Sequence, residues 1–309
     1  MTTGSTEPFE FAPAKINLTL RIGRKRPDGY HDLESLVVFA GAAGDDLRLL
    51  PGDAAALSVT GETAEQAGPL GDNLVLKAVR SLQALIPDLR SGHFHLTKRL
   101  PVAAGIGGGS SDAAAALRLA ALLNELPLDD ERLIAAARAT GADVPVCLDP
   151  QPRIMRGIGE ILSERLRLPA LHAVLVNPGV PVPTGAVFAA LAKSRADARP
   201  PSIDNDPASQ CVEAGGEPSF AALMDALISS ANDLEAPALA LFPPVAETLS
   251  ALRTIPSCRL ARMSGSGGTC FGLFATATDA KDAAEALRQD HPGWWVQDTV
   301  LGAGGAPAQ

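Results

Sequence analysis

Residues 100–112 read LPVAAGIGGGSSD, and five small residues in a row, Gly107, Gly108, Gly109, Ser110 and Ser111, stand directly before an alanine- and leucine-rich run expected to be a helix. Glycine lets a backbone enter positive φ and approach a ligand with no Cβ in the way. The first N–H groups of a helix have no intrahelical partner and its dipole favours negative charge, so such a junction attracts phosphate. Ser110 and Ser111 add hydroxyls that can cap the helix or touch the anion. The stretch is therefore expected to be a phosphate-binding loop. It is not a P-loop, which needs Lys and then Ser or Thr after its last glycine. It also fits the dinucleotide fingerprint poorly, because with Gly105 and Gly107 as the first two glycines the third place falls on Ser110.

Working outward, residues 93–97 alternate as a strand feeding the loop, and 73–85 form an amphipathic helix stopped by Pro87. Alternation predicts a strand over 11–22, with Lys15 and Asn17 sharing one face. A turn at 26–29, a strand at 34–39 and short strands over 45–60 follow. Helices are expected at 111–124 and 130–140, the second closed by Gly141. Beyond Pro150 come a strand at 173–177, the turn-rich PGVPVPTG, and a helix from 186. Residues 195–218, rich in Pro, Asp, Ser and Gly, are expected to be an exposed loop. Helices near 219–230, 243–252 and 279–289, and strands near 260, 270–275 and 294–300, complete the pattern. The tail from about 302 is expected to be mobile. Strands and helices mixed in both halves give an α+β protein of two domains, 1–160 and 161–309.

With 309 residues, 46% hydrophobic and 20% charged, the chain has enough apolar material for two cores. A net charge of -9 and the lack of a Lys/Arg-rich tract argue against nucleic acid. Cys147, Cys211, Cys258 and Cys270 show no metal spacing and are expected to be reduced thiols. The N-terminus lacks the pattern of a secretory signal, and the alanine-rich run is broken by Arg118 and Asn124. A cytoplasmic protein bound to no membrane is expected.

Three separated segments can now be set together: PAKINLTLRI at 13–22, the glycine loop at 105–111, and MSGSGGTCFG at 263–272. Together they resemble the GHMP small-molecule kinase superfamily. RPDGYHDLESL at 26–36, GADVPV at 141–146, GIGE at 157–160 and PGVPVPTGAVF at 178–188 resemble, more narrowly, its branch acting on a cytidine-diphosphate-linked methylerythritol in the non-mevalonate isoprenoid pathway. The resemblance implies an N-terminal ribosomal protein S5 domain 2-like domain and a C-terminal ferredoxin-like α/β domain, with the active site in the cleft between them.

It also implies roles. ATP would lie on Pro101, Ala104, Gly105, Gly107, Gly108, Gly109, Ser110 and Ser111, and would bring Mg²⁺, for which no acidic residue stands out as a ligand. Asp143 matches the catalytic aspartate that takes the hydroxyl proton, and Lys15 the lysine that keeps the carboxylate ionised and stabilises developing charge. His31 would hold the cytosine edge, with Tyr30, the one tyrosine of the chain, on its face. Phe188 would cover the other face, Thr184 would touch the polar part, and Asn17 would hydrogen-bond the substrate or serve as a structural amide. The expected state is a monomer or weak homodimer. Two other readings stand beside this one: a GHMP kinase for homoserine or a mevalonate compound, and a non-catalytic ATP-binding regulator.

Overall fold

The computed structural model describes residues 7–195, 203 and 206–302. The tail past Gly302, and residues 196–202 and 204–205 of the expected loop, lie outside the described residues. Packing divides the chain into two compact units. One holds the described residues up to Ala14, Gly44–Val102 and Gly107–Asp149; the other holds Lys15–Ala43, Ala103–Ile106 and the described residues from Pro150 onward. The units interleave along the chain, where the sequence expectation divides it once, near 160.

In chain order the first part comprises β1 (Phe9–Asn17), β2 (Arg21–Lys25), β3 (His31–Gly52), β4 (Ala56–Thr60), α1 (Leu74–Leu85), β5 (Ser91–Thr97), α2 (Gly108–Leu123), α3 (Glu131–Thr140) and α4 (Val144–Cys147). The second part comprises β6 (Arg153–Gly157), β7 (Ile161–Leu162), β8 (Leu171–Asn177), α5 (Thr184–Ser194), α6 (Pro207–Glu213), α7 (Phe220–Ile228), α8 (Glu235–Leu241), α9 (Pro243–Thr254), β9 (Cys258–Met263), β10 (Cys270–Phe274), α10 (Ala277–Asp290) and β11 (Trp295–Leu301).

In the first unit, Asp46–Gly52 of β3 runs antiparallel to β5, and β4 lies parallel on the other side of β5. The helices cover this sheet. The Asn73 side chain accepts from the Val75 N–H and starts α1, whose Val75, Val79 and Leu82 recur at helical spacing and are fully buried. Helix α2 is buried from Ser111 through Ala121, and its alanines let neighbouring backbones come close. The core joins Leu47, Leu49, Phe94 and Leu96 of the strands to Val75, Val79, Ala115, Ala116 and Leu119. Full burial of one such Leu or Phe stabilises by roughly 1.5–3 kcal/mol. Arg118 is nearly buried because its guanidinium is satisfied by Glu10 and by the carbonyls of Phe11 and Cys147.

In the second unit β8 sits between β11 and β10, with β9 outside β10, all antiparallel. Ala173–Val176 are completely buried, the mark of a strand covered on both faces. The first half of β3 pairs with β2 and β6. Val174, Val176, Leu249, Leu252 and Phe274 anchor the core of this unit.

Several elements differ from expectation. Strand β3 is one 22-residue element where separate short strands were expected, because the small residues Ala40–Gly44 continue extended without a breaker. The expected loop at 195–218 contains helix α6: Asp206 accepts from the Ala208 N–H and Pro207 occupies the first helical position, a strong start signal that the polar composition masked. Helix α8 and strand β6 were not expected at all. Strand β6 is brought into order by its pairing with Leu33–Val37.

Candidate active site

In the first unit, Gly107 caps α2 in the left-handed region at φ 62°, which an L side chain adopts only with strain. Gly108, Gly109 and Ser110 form the first turn, and the N–H groups of a first turn point outward along the axis without intrahelical acceptors. The turn that the sequence reading assigns to an anion thus has a left-handed glycine and a bare first turn. Ser111 departs from the expectation: it is buried, its hydroxyl donates to the Pro13 carbonyl at 2.6 Å, and its N–H donates to the Gly107 carbonyl. Ser111 pins α2 to β1, and Ser110 is the hydroxyl left at the junction. Pro101 is buried at the start of the loop.

Beneath that first turn lies a charge cluster. The Lys98 ammonium donates to Asp45 Oδ2 at 2.5 Å and to Asp112 Oδ2 at 2.8 Å, and all three side chains are at most 5% exposed. Asp45 Oδ1 also accepts from the Arg99 and Leu100 N–H groups, at 2.6 and 2.9 Å. Asp112 Oδ1 is buried with no hydrogen-bond partner. Burial pushes the Asp112 carboxyl up to about 7; Asp45 acts in the same sense, and Lys98 opposes both. For Lys98 burial opposes the charge, yet the two carboxylates outweigh it and hold its pKa above the usual lysine value. Lys98 directly follows β5, whose pairing with β3 brings it to Asp45, while α2 supplies Asp112.

Asp143 heads α4 in helical conformation and is half-buried, and its carboxylate does not cap the N–H groups of that helix. Pro145 within the first turn fixes the local backbone.

In the second unit Lys15 is 3% exposed on β1, and its N–H donates to the Ile106 carbonyl at 2.8 Å. Asn17 is also buried: its amide donates to the Ser35 hydroxyl at 2.7 Å, and Ser35 donates to the Thr19 carbonyl. That chain engages the Asn17 amide nitrogen structurally. The segment 103–106 is built against the SGSGG stretch of 264–268. Ser264 donates to the Gly105 carbonyl at 3.0 Å and accepts from the Asn17 N–H, while the Thr269 N–H donates to the Ala104 carbonyl. A Cβ on Gly105 would meet the Ser264 and Gly267 carbonyls at 2.6 Å, so only glycine fits there. Asn232 fixes the far side of the stretch by donating to the Met263 and Gly265 carbonyls.

The same unit carries the expected base-side residues. In the DGYH turn the Asp28 side chain accepts from the Tyr30 N–H at 3.1 Å, and Tyr30 projects 57% exposed. The His31 ring lies 5.4 Å from the Phe188 ring, tilted by 36°, with Nδ1 3.4 Å from the Gly23 carbonyl. A carbonyl facing Nδ1 favours the proton there and leaves Nε2 as an acceptor. The Thr184 hydroxyl is exposed and lies 2.7 Å from that of Ser266. Tyr30, His31, Phe188 and Thr184 therefore gather on one unit, Lys15 and Asn17 line its β1, and Asp143 and the α2 start belong to the other. Sequence reasoning missed Asp45, Asp112, Ser264 and Asn232. The acidic Asp112 directly after Ser110–Ser111 was the one local signal available.

The chain is similar to known proteins over most of its length. The family "GHMP kinases N terminal domain" matches residues 73–149 and "GHMP kinases C terminal" matches 210–293. A 4-diphosphocytidyl-2-C-methyl-D-erythritol kinase of Methylobacterium radiotolerans is 57% identical over 94% of this chain and 97% of its own length. A crystal structure of a 4-(cytidine 5'-diphospho)-2C-methyl-D-erythritol kinase is 34% identical, with a TM-score of 0.70 over 96% of this chain and 100% of its own. The L. major mevalonate kinase, 17% identical with a TM-score of 0.69 over 98% of each chain, shares the fold. Among the described residues no helix is long and apolar enough to cross a membrane. The chain is a small-molecule kinase of the GHMP type, and it belongs to the 4-diphosphocytidyl-2-C-methyl-D-erythritol kinase family.

Proposed function

We propose that the protein transfers the γ-phosphoryl group of ATP to the C2 hydroxyl of 4-diphosphocytidyl-2-C-methyl-D-erythritol, giving the 2-phosphate and ADP, in the non-mevalonate route to isoprenoid precursors. The observation that carries the substrate reading is the pairing of His31 with Phe188 beside the exposed Tyr30. A flat cytosine needs π-surfaces on its faces and a donor–acceptor edge, and homoserine or mevalonate has use for neither.

In the transfer the C2 oxygen forms a bond to Pγ, the bond from Pγ to the bridging oxygen breaks, and the hydroxyl proton passes to Asp143. Lys15 supplies positive charge to the transferred group. Alignment and charge stabilisation account for most catalysis of this kind. The α-, β- and γ-phosphates fit the turn of Gly107, Gly108, Gly109 and Ser110, where side chains are absent or small. Mg²⁺ would neutralise phosphate charge. Among the described residues no group of three acidic, histidine or cysteine side chains could hold a metal ion, and the ion would come bound to the phosphates of the nucleotide. Asn17, with its amide engaged, offers its carbonyl oxygen to the substrate. A cytoplasmic monomer or weak dimer, with family domains dividing near 160, completes the reading.

The test is ADP release from Mg-ATP with the cytidine compound, with homoserine and mevalonate as controls. Turnover with the cytidine compound alone is expected. Turnover with a control instead would keep the kinase and remove the base clamp. Asp143→Asn should lower kcat by about 10²–10⁴-fold with ATP affinity unchanged. ATP binding with no turnover on any of the three would favour the regulator.

A further inference from the structure

The buried cluster beneath α2 is more elaborate than holding the helix requires. One ammonium meets two carboxylates, and the oxygens of the two acids are treated unequally. Asp45 is filled by three donors, Lys98 and the Arg99 and Leu100 N–H groups. Asp112 receives only Lys98, and its second oxygen is buried without a partner. A buried carboxylate with a vacant oxygen is the member of such a group that takes a proton, because an O–H there removes an uncompensated charge.

The cluster also touches the anion cradle. Asp112 lies in the opening turns of α2, five residues after Gly107, and a Cβ placed on Gly108 would come within 3.5 Å of the Lys98 ammonium. Charge at this point is felt by whatever binds the Gly108–Ser110 turn. Lys98 and Asp45 dominate the field at Asp112. On the helices packed against α2, Lys77 of α1 donates to the Thr140 carbonyl, the charged residues of α3 are exposed, and Asp143 heads α4. Farther along α2 itself, Arg118 is paired with Glu10.

We propose that Asp112 is a positioning residue of the nucleotide step: bridged through Lys98 to Asp45, it fixes the first turn of α2 and takes up a proton when a polyphosphate settles on that turn. This rests on the phosphate-loop reading above. In the free protein the Asp112 carboxyl, raised to about 7, is partly ionised at neutral pH. A bound polyanion disfavours a second negative charge beside it, so solvent delivers a proton to Oδ1 on binding. The sign follows: affinity for ATP falls as pH rises through neutrality, since above it the proton must be supplied against the bulk. A shift of about one pKa unit on binding corresponds to a tenfold change in Kd.

The experiment is titration calorimetry of Mg-ATP on the full chain at pH 6.5–8.5, in buffers of different ionisation enthalpy, for wild type, Asp112→Asn and Gly108→Asp. Wild type is expected to take up a fraction of a proton at pH 7.5, and its Kd should rise three- to tenfold more across the range than that of Asp112→Asn, which cancels the titration of ATP itself. Parallel pH curves with equal proton uptake, while Gly108→Asp abolishes binding, would overturn the proposal and leave the phosphate loop intact. ATP binding unaffected by Gly108→Asp would overturn the loop reading and this inference with it. The wild-type buffer series also decides without any variant, since zero uptake at pH 7.5 overturns the proton step.

Discussion

On the function proposed above, the start of α2 and the group around Tyr30 take chemically opposite parts of their ligands, and the two regions are built in opposite ways. At α2 the working atoms are backbone N–H groups, and everything beneath them is interior: Ser111 bonded to Pro13, and Lys98 bonded to two buried acids. Around Tyr30 the working atoms are side chains on the surface. Tyr30 and Thr184 are exposed, and the strongest fixed contact is the tilted approach of His31 to Phe188. A phosphate site must hold dipoles and charges against reorganisation, which burial does. A base site needs flat apolar area and one polar edge, which exposed rings provide at small structural cost. Changes in the first region should therefore move stability together with nucleotide binding, and changes in the second should move substrate binding alone.

The largest expected effect comes from Lys98→Ala. It leaves Asp45 and Asp112 buried together with no cation, and breaking a buried pair in this way costs about 3–5 kcal/mol. Denaturant unfolding should show the midpoint fall with little change in slope. A loss below about 1 kcal/mol would mean that the cluster is open to water and that the contrast drawn above is false.

Next comes the pH dependence of stability. The Asp112 carboxyl is raised in the folded protein, to about 7, above its unfolded value near 4. Between these values the native state binds more protons than the unfolded one, so this group makes stability fall as pH rises through that window, and its effect is constant above it. The magnitude is on the order of 2–4 kcal/mol. Asp112→Asn should flatten the curve between pH 4 and 7, measured by urea unfolding at fixed ionic strength. An unchanged slope would assign the window to other carboxylates.

Tyr30→Ala should behave in the other way. Its ring is more than half exposed, so the melting temperature should stay within about 1 °C of wild type, as for most surface changes. KM for the cytidine substrate should rise roughly 10-fold or more, the worth of about one lost stacking contact, while KM for ATP holds. A fall in melting temperature with KM unchanged would return Tyr30 to a structural role.

The two regions were also unequally legible in the sequence. The glycine loop announced itself because its chemistry is local: Gly107, Gly108 and Gly109 ahead of an alanine-rich run are enough to say where N–H groups will point. The elements around it followed from their punctuation, as with the Asn73 cap of α1 and Gly141 after α3. What the sequence hid is what depends on pairing between distant segments. Lys98 and Asp112 are 14 residues apart and Asp45 is 53 from Lys98, so nothing in the string brings them together. The Ser264–Gly105 contact spans 159 residues. The residues proposed for the base were singled out only through family likeness, since an exposed tyrosine beside a histidine carries no local signature. Helix α6 is a different kind of miss, with a clear Asp206–Pro207 start that a count of loop-forming residues overrode.

The smallest effect tests the second region most finely. Gly185 sits in the first turn of α5 directly after Thr184, its φ lies outside the left-handed region, and a Cβ there would meet no atom within 4 Å. Alanine is a better helix former and reduces the freedom of the unfolded chain, so Gly185→Ala should stabilise by about 0.5–1 kcal/mol. The melting temperature should then rise by about 1–3 °C, which calorimetry resolves. If substrate contact at this turn is made by the Thr184 hydroxyl and the Phe188 ring, the added methyl finds open space and KM stays within about twofold. If KM rises tenfold while the protein melts higher, the bare backbone at Gly185 is itself a ligand surface. The region around Thr184 would then be fitted to its ligand as closely as Gly105 is to Ser264, where a methyl cannot enter, and the contrast between the two regions would fail.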